Sequence, residues 1–174
     1  MSIDESDEVM RSRLDHTINR DHYTPALVSL VSNYLLWGGS KVFRHHFGLG
    51  TNEWRILSAL SNHPGISASE VTAVLEVNKS IASRSTTVLL ERNLIRILIE
   101  GGARRMYLTA QGVEVHNAMV PIALERERVL QSGLTEDEVG QLQSLLLRVI
   151  DGAPGLKLLD EEYLAEPSLT TSLD

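Results

Sequence analysis

Apolar residues recur at helical spacing from Pro25 to about Phe47, which predicts one long helix that begins at a residue suited to a first turn. Gly38 and Gly39 lie inside this segment, and each costs roughly 1 kcal/mol relative to alanine in a helix interior. The glycine pair therefore predicts a kink in the helix or a close contact with a neighbour.

Shorter helices are predicted next by residues that cap helix starts. Thr51 is placed to cap the first, and a turn with a proline and a glycine follows at residues 63–65. Ser67 and Glu70 form a capping box, in which the hydroxyl and the carboxylate each satisfy one free backbone amide of a second short helix.

A third short helix is predicted from Lys79 to about Arg92. Asn78 is placed to cap its start, and Asn93, which tolerates a left-handed conformation, suits its end. At about 100° per residue the helix has an apolar, inward side and a polar, outward side. The inward side carries Ile81, Ser85, Val88 and Leu89, and the outward side carries Ser80, Ser83, Arg84 and Thr87.

A β-hairpin is predicted directly after these helices. Residues 95–100 alternate isoleucine with other residues, Gly101-Gly102 supplies the positive dihedral angles of a tight turn, and residues 103–108 form the returning strand. A capped short helix, a turn, a second helix with a polar outer side and a glycine-tipped hairpin together indicate a winged helix-turn-helix.

The C-terminal part is predicted to be helical up to about residue 150. Thr109 is placed to cap a long helix that reaches roughly Ser132, and a second capping box at Thr135 opens another helix. Its apolar stripe consists of Val139, Leu142, Leu145, Leu146 and Val149. Glycine and proline in residues 151–155 are expected to stop this helix.

The predicted fold is mainly α with a small β-hairpin wing, an α+β winged helix-turn-helix over about 51–112. Helices at about 25–47 and 110–150 carry more apolar surface than one small domain covers, so they are interpreted as dimerisation helices. Residues 1–24 are interpreted as a polar extension, frayed or helical only with a partner. Residues 151–174 are interpreted as an acidic tail, and the part from 156 to 174 is expected to be loosely held or disordered.

Composition narrows the function classes. The chain has no cysteine, which excludes disulfides and thiolate metal sites. It has no stretch of ~20 uncharged apolar residues and starts with acidic residues rather than a basic signal-peptide flank, so we expect a cytoplasmic protein. No phosphate-binding glycine loop, nucleophile elbow or metalloprotease helix is present, which argues against an enzyme, and no cofactor is expected.

Charge is unevenly distributed along the chain. The net charge is −7, but six basic residues stand against two acidic ones between Asn78 and Leu108, which gives +4 there and −11 elsewhere. Such a positively charged segment would attract DNA while the rest of the surface repels it. The alternatives are a solvated helix face that happens to carry Arg84, and wing arginines that pair with Glu100 or with the acidic body.

The segment from Leu49 to Gly112 resembles the MarR (multiple-antibiotic-resistance regulator) family of bacterial transcription factors, and flanking helices extend the similarity to about 25–150. The resemblance rests on Thr51-Asn52-Glu53-Trp54 with Leu57, Ser67 to Leu75, Asn78-Lys79-Ser80 with Ser83-Arg84, Leu90 to Ile95, and Leu108 to Gly112.

The resemblance implies a homodimer that places one recognition helix per subunit in a major groove of double-stranded DNA and one wing in an adjacent minor groove. The DNA-contacting candidates are Lys79, Ser80, Ser83, Arg84, Thr87, Arg104 and Arg105. The family wing usually has an aspartate two residues before its arginine, whereas Gly102 and Ala103 stand here, so the choice between the two wing arginines stays open.

An effector site is a further hypothesis. Six of the eight aromatic residues fall between positions 23 and 54, among basic side chains that suit an aromatic acid or its thioester. The candidates are Tyr34, Trp37, Arg44, His46, Trp54 and Arg55. The alternative is that these aromatics are plain core. His45 and His46 point about 100° apart on a helix, so no metal site is expected there.

A winged domain used for protein contact is the rival interpretation of the whole chain. It would use the acidic surface for binding and would not recognise DNA specifically.

Overall fold

The computed structural model describes residues 10–166. Its helices and strands in chain order are α1 (Thr24–Asn33), α2 (Gly39–Phe47), α3 (Thr51–Asn62), α4 (Ala68–Leu75), α5 (Lys79–Glu91), β1 (Ile95–Glu100), β2 (Ala103–Leu108), α6 (Ala110–Leu130), α7 (Glu136–Gly152) and α8 (Pro154–Ala165). The chain forms two compact units that divide between Val120 and Pro121, inside α6. The mainly helical fold with one antiparallel hairpin agrees with the predicted class.

The N-terminal extension has little regular structure in its described residues. Residues 1–24 were interpreted as frayed or helical only with a partner, and in residues 10–23 the structure has only a 3-10 turn, Arg20–His22, whose start is capped by the Asn19 side chain. These residues are exposed, so no buried apolar stripe stabilises a longer helix there. Residues 1–9 lie outside the described part.

The predicted long helix over residues 25–47 is present, with a π-helical turn, Tyr34–Gly38, between α1 and α2. This wider turn ends at the glycine pair, where a kink or a close contact was predicted. Gly39 is buried. The Thr51 hydroxyl donates to the Leu36 carbonyl of the turn at 3.0 Å and accepts from the Ser40 hydroxyl at 3.0 Å.

Thr51 is not the cap that was predicted. The N-cap of α3 is Gly50, whose backbone N–H donates to the Glu53 carboxylate at 2.6 Å. The Thr51 hydroxyl is instead engaged by the π-helical turn, because the residues before α3 bring it beside Leu36 and Ser40.

The other predicted caps are confirmed. Ser67 and Glu70 form the capping box of α4, and Thr135 with Glu138 forms that of α7. The Asn78 side chain accepts from the backbone N–H of Ser80 at 2.8 Å and so caps α5.

The predicted hairpin is present with the predicted strand bounds, and its register places Ile95 opposite Leu108 and Glu100 opposite Ala103. Both turn glycines have positive φ angles, 58° and 80°. The backbone of Met106 also exchanges hydrogen bonds with the segment before α4, accepting from Gly65 N–H at 2.9 Å and donating to Ile66 O at 3.1 Å. The hairpin is thus attached to the turn that precedes α4.

The core of the first unit lies under these elements. Its largest fully buried side chains are Leu49, Ile56, Leu57, Leu60, Val71, Leu89, Leu94, Ile95, Met106 and Met119. At its edge the first turn of α6 crosses the end of α5 and β1, where Leu94 O accepts from the backbone N–H of Thr109 at 3.0 Å. Gly112 packs so closely there that a Cβ atom would overlap the Leu94 carbonyl oxygen.

In the second unit, α7 ends at Gly152 and α8 begins at Pro154, so the tail is helical rather than disordered over residues 156–165. Proline suits the first turn of a helix because it has no N–H to satisfy there, and here it restarts the chain as a helix. The part of the tail from 167 to 174 lies outside the described residues.

We predict that Gly112→Ala lowers the free energy of unfolding by about 1–3 kcal/mol, because the new methyl group forces α6 away from the Leu94 carbonyl. Urea denaturation measures the change. Gly140→Ala is the matched control, since a Cβ at this α7 glycine meets nothing within 4 Å. Equal midpoints for wild type and the Gly112 variant would contradict the packing described here.

Candidate nucleic-acid interface

The two sides of α5 are buried and exposed as predicted. Ala82, Ser85 and Leu89 are buried, and Ile81 and Val88 are half-buried. The polar side is exposed and consists of Lys79, Ser80, Ser83, Arg84 and Thr87. The helix is therefore held along one side and presents the other to solvent.

A partly buried polar contact fixes the inner side of α5. The Ser85 hydroxyl donates to Glu53 Oε1 at 2.5 Å, and Glu53 Oε2 accepts from the backbone N–H of Gly50 at 2.6 Å. One carboxylate thus caps α3 and holds α5 against it. The sequence placed Ser85 on the inward side, but its partner lies 32 residues away and carries no local signal.

The exposed side of α5 is partly ordered by its own hydrogen bonds. Arg84 Nε donates to Ser80 O at 3.3 Å, the Ser80 hydroxyl donates to Asn78 Oδ1 at 2.9 Å, and the Thr87 hydroxyl donates to Ser83 O at 3.0 Å. In residues 10–166, no side chain is bonded to the terminal nitrogens of Arg84. That guanidinium edge is available to a ligand.

A groove of about 980 Å³ runs between α4, α5 and the hairpin. Most of its lining surface is apolar, and the polar part includes Ser69, Thr72, Ser83, Thr87, Lys79, Arg104 and the carboxylate of Glu70. Of the predicted DNA-contacting residues, the groove brings together Lys79, Ser83, Thr87, Arg104 and Arg105, whereas Ser80 and Arg84 lie outside its lining. The hydroxyl and cationic side chains of the lining suit contacts with a phosphate backbone.

The two wing arginines have different surroundings. Arg105 Nη1 donates to Glu70 Oε2 at 3.0 Å and to Gly65 O at 3.2 Å. Arg104 is exposed, and within the described part of the chain its guanidinium has no ion pair or side-chain hydrogen bond. One alternative for these arginines was an ion pair with an acidic residue outside the wing, and Arg105 forms such a pair with Glu70.

Glu100 does not pair with either arginine. Its carboxylate accepts from the Tyr107 hydroxyl at 2.6 Å, and this hydrogen bond to an acidic partner raises the pKa of Tyr107. The pKa of Glu70 is lowered, first by its bonds from Ser67 and then by the charge of Arg105.

The six predicted effector residues are only partly brought together. Tyr34 and Trp37 are 71% and 69% exposed, and Arg44 and His46 are also exposed. Of the six, Trp54 and Arg55 share the lining of a cavity of about 260 Å³, together with His63 and Val74.

Aromatic packing at Trp54 agrees with the alternative that some of these residues are core. The indole lies 5.7 Å from the ring of buried Phe43 and stacks on His116 at 5.3 Å and 15°. His116 was not assigned from the sequence, because this contact joins two distant helices. Arg55 donates to Leu75 O at 2.6 Å, and its partial burial lowers its pKa.

Neither a metal centre nor a membrane span is found in residues 10–166. No three side chains of histidine, aspartate or glutamate gather as ligands there, and His45 and His46 contact each other edge to face at 4.8 Å. None of the described helices combines the length and apolar character that spanning a bilayer requires.

Comparisons with known proteins agree with the predicted resemblance. The MarR family model matches residues 47–113. A MarR/EmrR family transcriptional regulator from Acinetobacter sp. ADP1 is 28% identical, with a TM-score of 0.75 over 79% of this chain and 99% of that one. Comparison with curated proteins gave no match.

Two more distant structures share the fold. The Staphylococcus aureus MepR–DNA complex is 19% identical, with a TM-score of 0.68 over 78% of this chain and 99% of that one. The PcaV transcriptional regulator of Streptomyces coelicolor, solved with its natural ligand, is 21% identical, with a TM-score of 0.64 over 79% and 99%. The match of the family model and the Acinetobacter structure confirm the family resemblance, and all three structures confirm the winged-helix fold class.

We predict that Glu53→Ala lowers the free energy of unfolding by about 1–3 kcal/mol, because it leaves the buried Ser85 hydroxyl and the Gly50 N–H without their acceptor. Chemical denaturation checks this value. Glu91→Ala, at the exposed end of α5, is the control and should change stability by less than about 0.5 kcal/mol. A similar small effect for both variants would argue against the contact.

Proposed function

We propose that this protein is a DNA-binding transcriptional repressor that recognises a pseudo-palindromic operator as a homodimer. Its residues 47–113 match the MarR family model, and its fold is that of MarR-family regulators. The observation that carries the proposal is the exposed polar side of α5, held rigidly from beneath and flanked by the exposed Arg104. As a repressor, the protein would act in the cytoplasm, where the DNA is.

The α5 side chains suit a major groove. Ser80, Ser83 and Thr87 are small enough to let the helix backbone approach the base edges, and their hydroxyls donate to bases or phosphates. Arg84 is placed among them with its terminal nitrogens available, and an arginine fork binds guanine O6 and N7 together. Arg84 is therefore the proposed base-reading residue.

The hairpin suits the neighbouring minor groove. Arg104 is the exposed wing cation, and a narrow minor groove attracts arginine through its concentrated negative potential. The groove between α5 and the hairpin would then receive the sugar-phosphate backbone that separates the two DNA grooves. The neighbour solved with DNA, the staphylococcal regulator, has the same fold.

Two separate apolar surfaces support a homodimer. On α1, Leu27, Val28, Leu30 and Val31 are each more than 40% exposed in the single chain. On α7, Leu142, Leu145, Leu146 and Val149 are each at least 40% exposed. Surfaces of this kind mark association sites, and a second copy of the same chain covers them by symmetry. Two recognition helices would then meet half-sites about one helical turn, ~10 bp, apart.

We extend the proposal to a small aromatic acid or its thioester as the ligand that releases the DNA. Trp54 and Arg55 carry this part, because they are the two predicted effector residues that meet at one cavity. An aromatic ring and a guanidinium suit the two ends of such a ligand. The Streptomyces regulator with the same fold was solved with its natural ligand.

We predict that the protein shifts a DNA fragment from its own promoter region and that Arg84→Ala weakens this binding by about 1–3 kcal/mol, because a base contact is lost. Fluorescence anisotropy measures the affinity, which should fall steeply with added salt. Arg13→Ala removes the same charge from the exposed N-terminal segment and is the control. Aromatic carboxylates added to the same assay test release.

Failure of every promoter fragment to bind at any salt concentration would overturn the proposal. The rival interpretation, a winged domain for protein contact, would then replace it.

We also predict that the protein sediments at twice the 19.3 kDa chain mass and that Leu145→Asp dissociates it, because the aspartate places a charge in the apolar surface of α7. Analytical ultracentrifugation measures the mass. Leu98→Asp introduces the same charge at an exposed leucine of the hairpin and should leave the dimer intact. A wild-type protein that is a monomer at every concentration would contradict the dimer.

A further inference from the structure

The hairpin is attached to the start of α4 by four hydrogen bonds from two neighbouring residues of β2. The Met106 backbone contributes two of them, to Gly65 and Ile66, at 2.9 and 3.1 Å. The Arg105 guanidinium contributes the other two, to Gly65 O at 3.2 Å and to Glu70 Oε2 at 3.0 Å. A hairpin of two strands is held in place through its second strand.

Glu70 serves two elements with one oxygen atom. Its Oε2 accepts from the backbone N–H of Ser67 at 2.6 Å, which completes the capping box of α4, and it also accepts from Arg105. The Ser67 bond comes first among the causes that lower the pKa of Glu70, so the carboxylate is ionised near neutral pH whether or not Arg105 is present. The wing therefore meets an anion that the helix start already holds.

Arg104 and Arg105 point to opposite faces because they are neighbours on a strand. The Arg105 side chain is 36% exposed and engaged by Glu70, whereas Arg104 is exposed without such a partner in the part of the chain that the structure describes. Two adjacent cations of the same type thus have different surroundings, one fixed to the body and one directed to solvent.

We infer that Arg105 is a positioning residue, which fixes the angle between wing and helix-turn-helix through Glu70, and that Arg104 is the wing residue that contacts DNA. The inference rests on the proposed DNA binding and refines it. A wing held before binding loses less conformational freedom when it enters the minor groove, so the ion pair contributes to affinity although neither partner touches DNA.

The direction in which Glu70→Gln changes the affinity for DNA distinguishes a positioning role from a purely electrostatic effect. Glu70→Gln removes a negative charge close to the DNA surface, which by long-range electrostatics alone would strengthen binding. Glutamine still serves as the third residue of a capping box, so α4 keeps its start. A positioning role predicts the opposite result, a loss of affinity of on the order of threefold to tenfold, because the Arg105 anchor is weakened.

The experiment measures operator affinity for wild type, Glu70→Gln and the matched Glu91→Gln, which removes an equal charge from the exposed end of α5. We expect Glu91→Gln to bind as tightly as wild type or more tightly and Glu70→Gln to bind less tightly. In an Arg104→Ala background the Glu70 effect should disappear, because the anchor acts through Arg104. Tighter binding by Glu70→Gln, or an unchanged effect in that background, would overturn the inference.

Hydrogen exchange of the DNA-free protein provides a readout that does not depend on the proposed function. Weakening the anchor should speed exchange at the Met106 and Gly65 amides, which pair the wing with the body, and Glu91→Gln should leave it unchanged. Unchanged exchange in Glu70→Gln would refute the anchor even if the wild type binds DNA. Faster exchange in a protein that binds no DNA would support the anchor and refute the proposed function.

Discussion

Burial of one side of α5 against α3 is the constraint on which the interface depends. Leu89 is fully buried, Ala82 is buried, and the Ser85 hydroxyl reaches the carboxylate of Glu53. A helix fixed in this way can neither rotate nor slide without exposing apolar surface and leaving a buried hydroxyl without an acceptor. Its outer residues therefore stay on the surface in one arrangement, which is what recognition of a rigid duplex requires.

Carboxylates at helix starts join neighbouring elements in this unit. Glu53 accepts from the backbone N–H before α3 and also holds α5, and Glu70 accepts from the N–H before α4 and also holds β2. The capping box of α7 has the same local bonds, but in residues 10–166 its Glu138 reaches no second element. A capping carboxylate thus links two elements of the tertiary structure only where a second element packs against the helix start.

Charged and exposed apolar residues are unevenly distributed along the chain. The segment of α5 and the hairpin carries a net charge of +4, within a protein whose net charge is −7. Exposed apolar side chains are found on α1 and on α7, and also on α6, on α8 and at Leu98 and Ile99 of the hairpin. Under the proposed function, electrostatics orients the protein on DNA while the apolar surfaces set the symmetry of the pair, so neither property alone would produce a specific operator complex.

The sequence by itself determined the caps at Ser67, Asn78 and Thr135, the turn at Gly101-Gly102 and the two sides of α5, because these depend on bonds between residues a few positions apart or on helical periodicity. Only the tertiary structure decided which wing arginine is anchored and which carboxylate receives Ser85, since those partners are 35 and 32 residues apart. It also decided the partner of the Thr51 hydroxyl, which donates to the Leu36 carbonyl of the π-helical turn instead of capping α3. Such long-range bonds form only after the apolar core has brought distant segments together, so no local pattern specifies them.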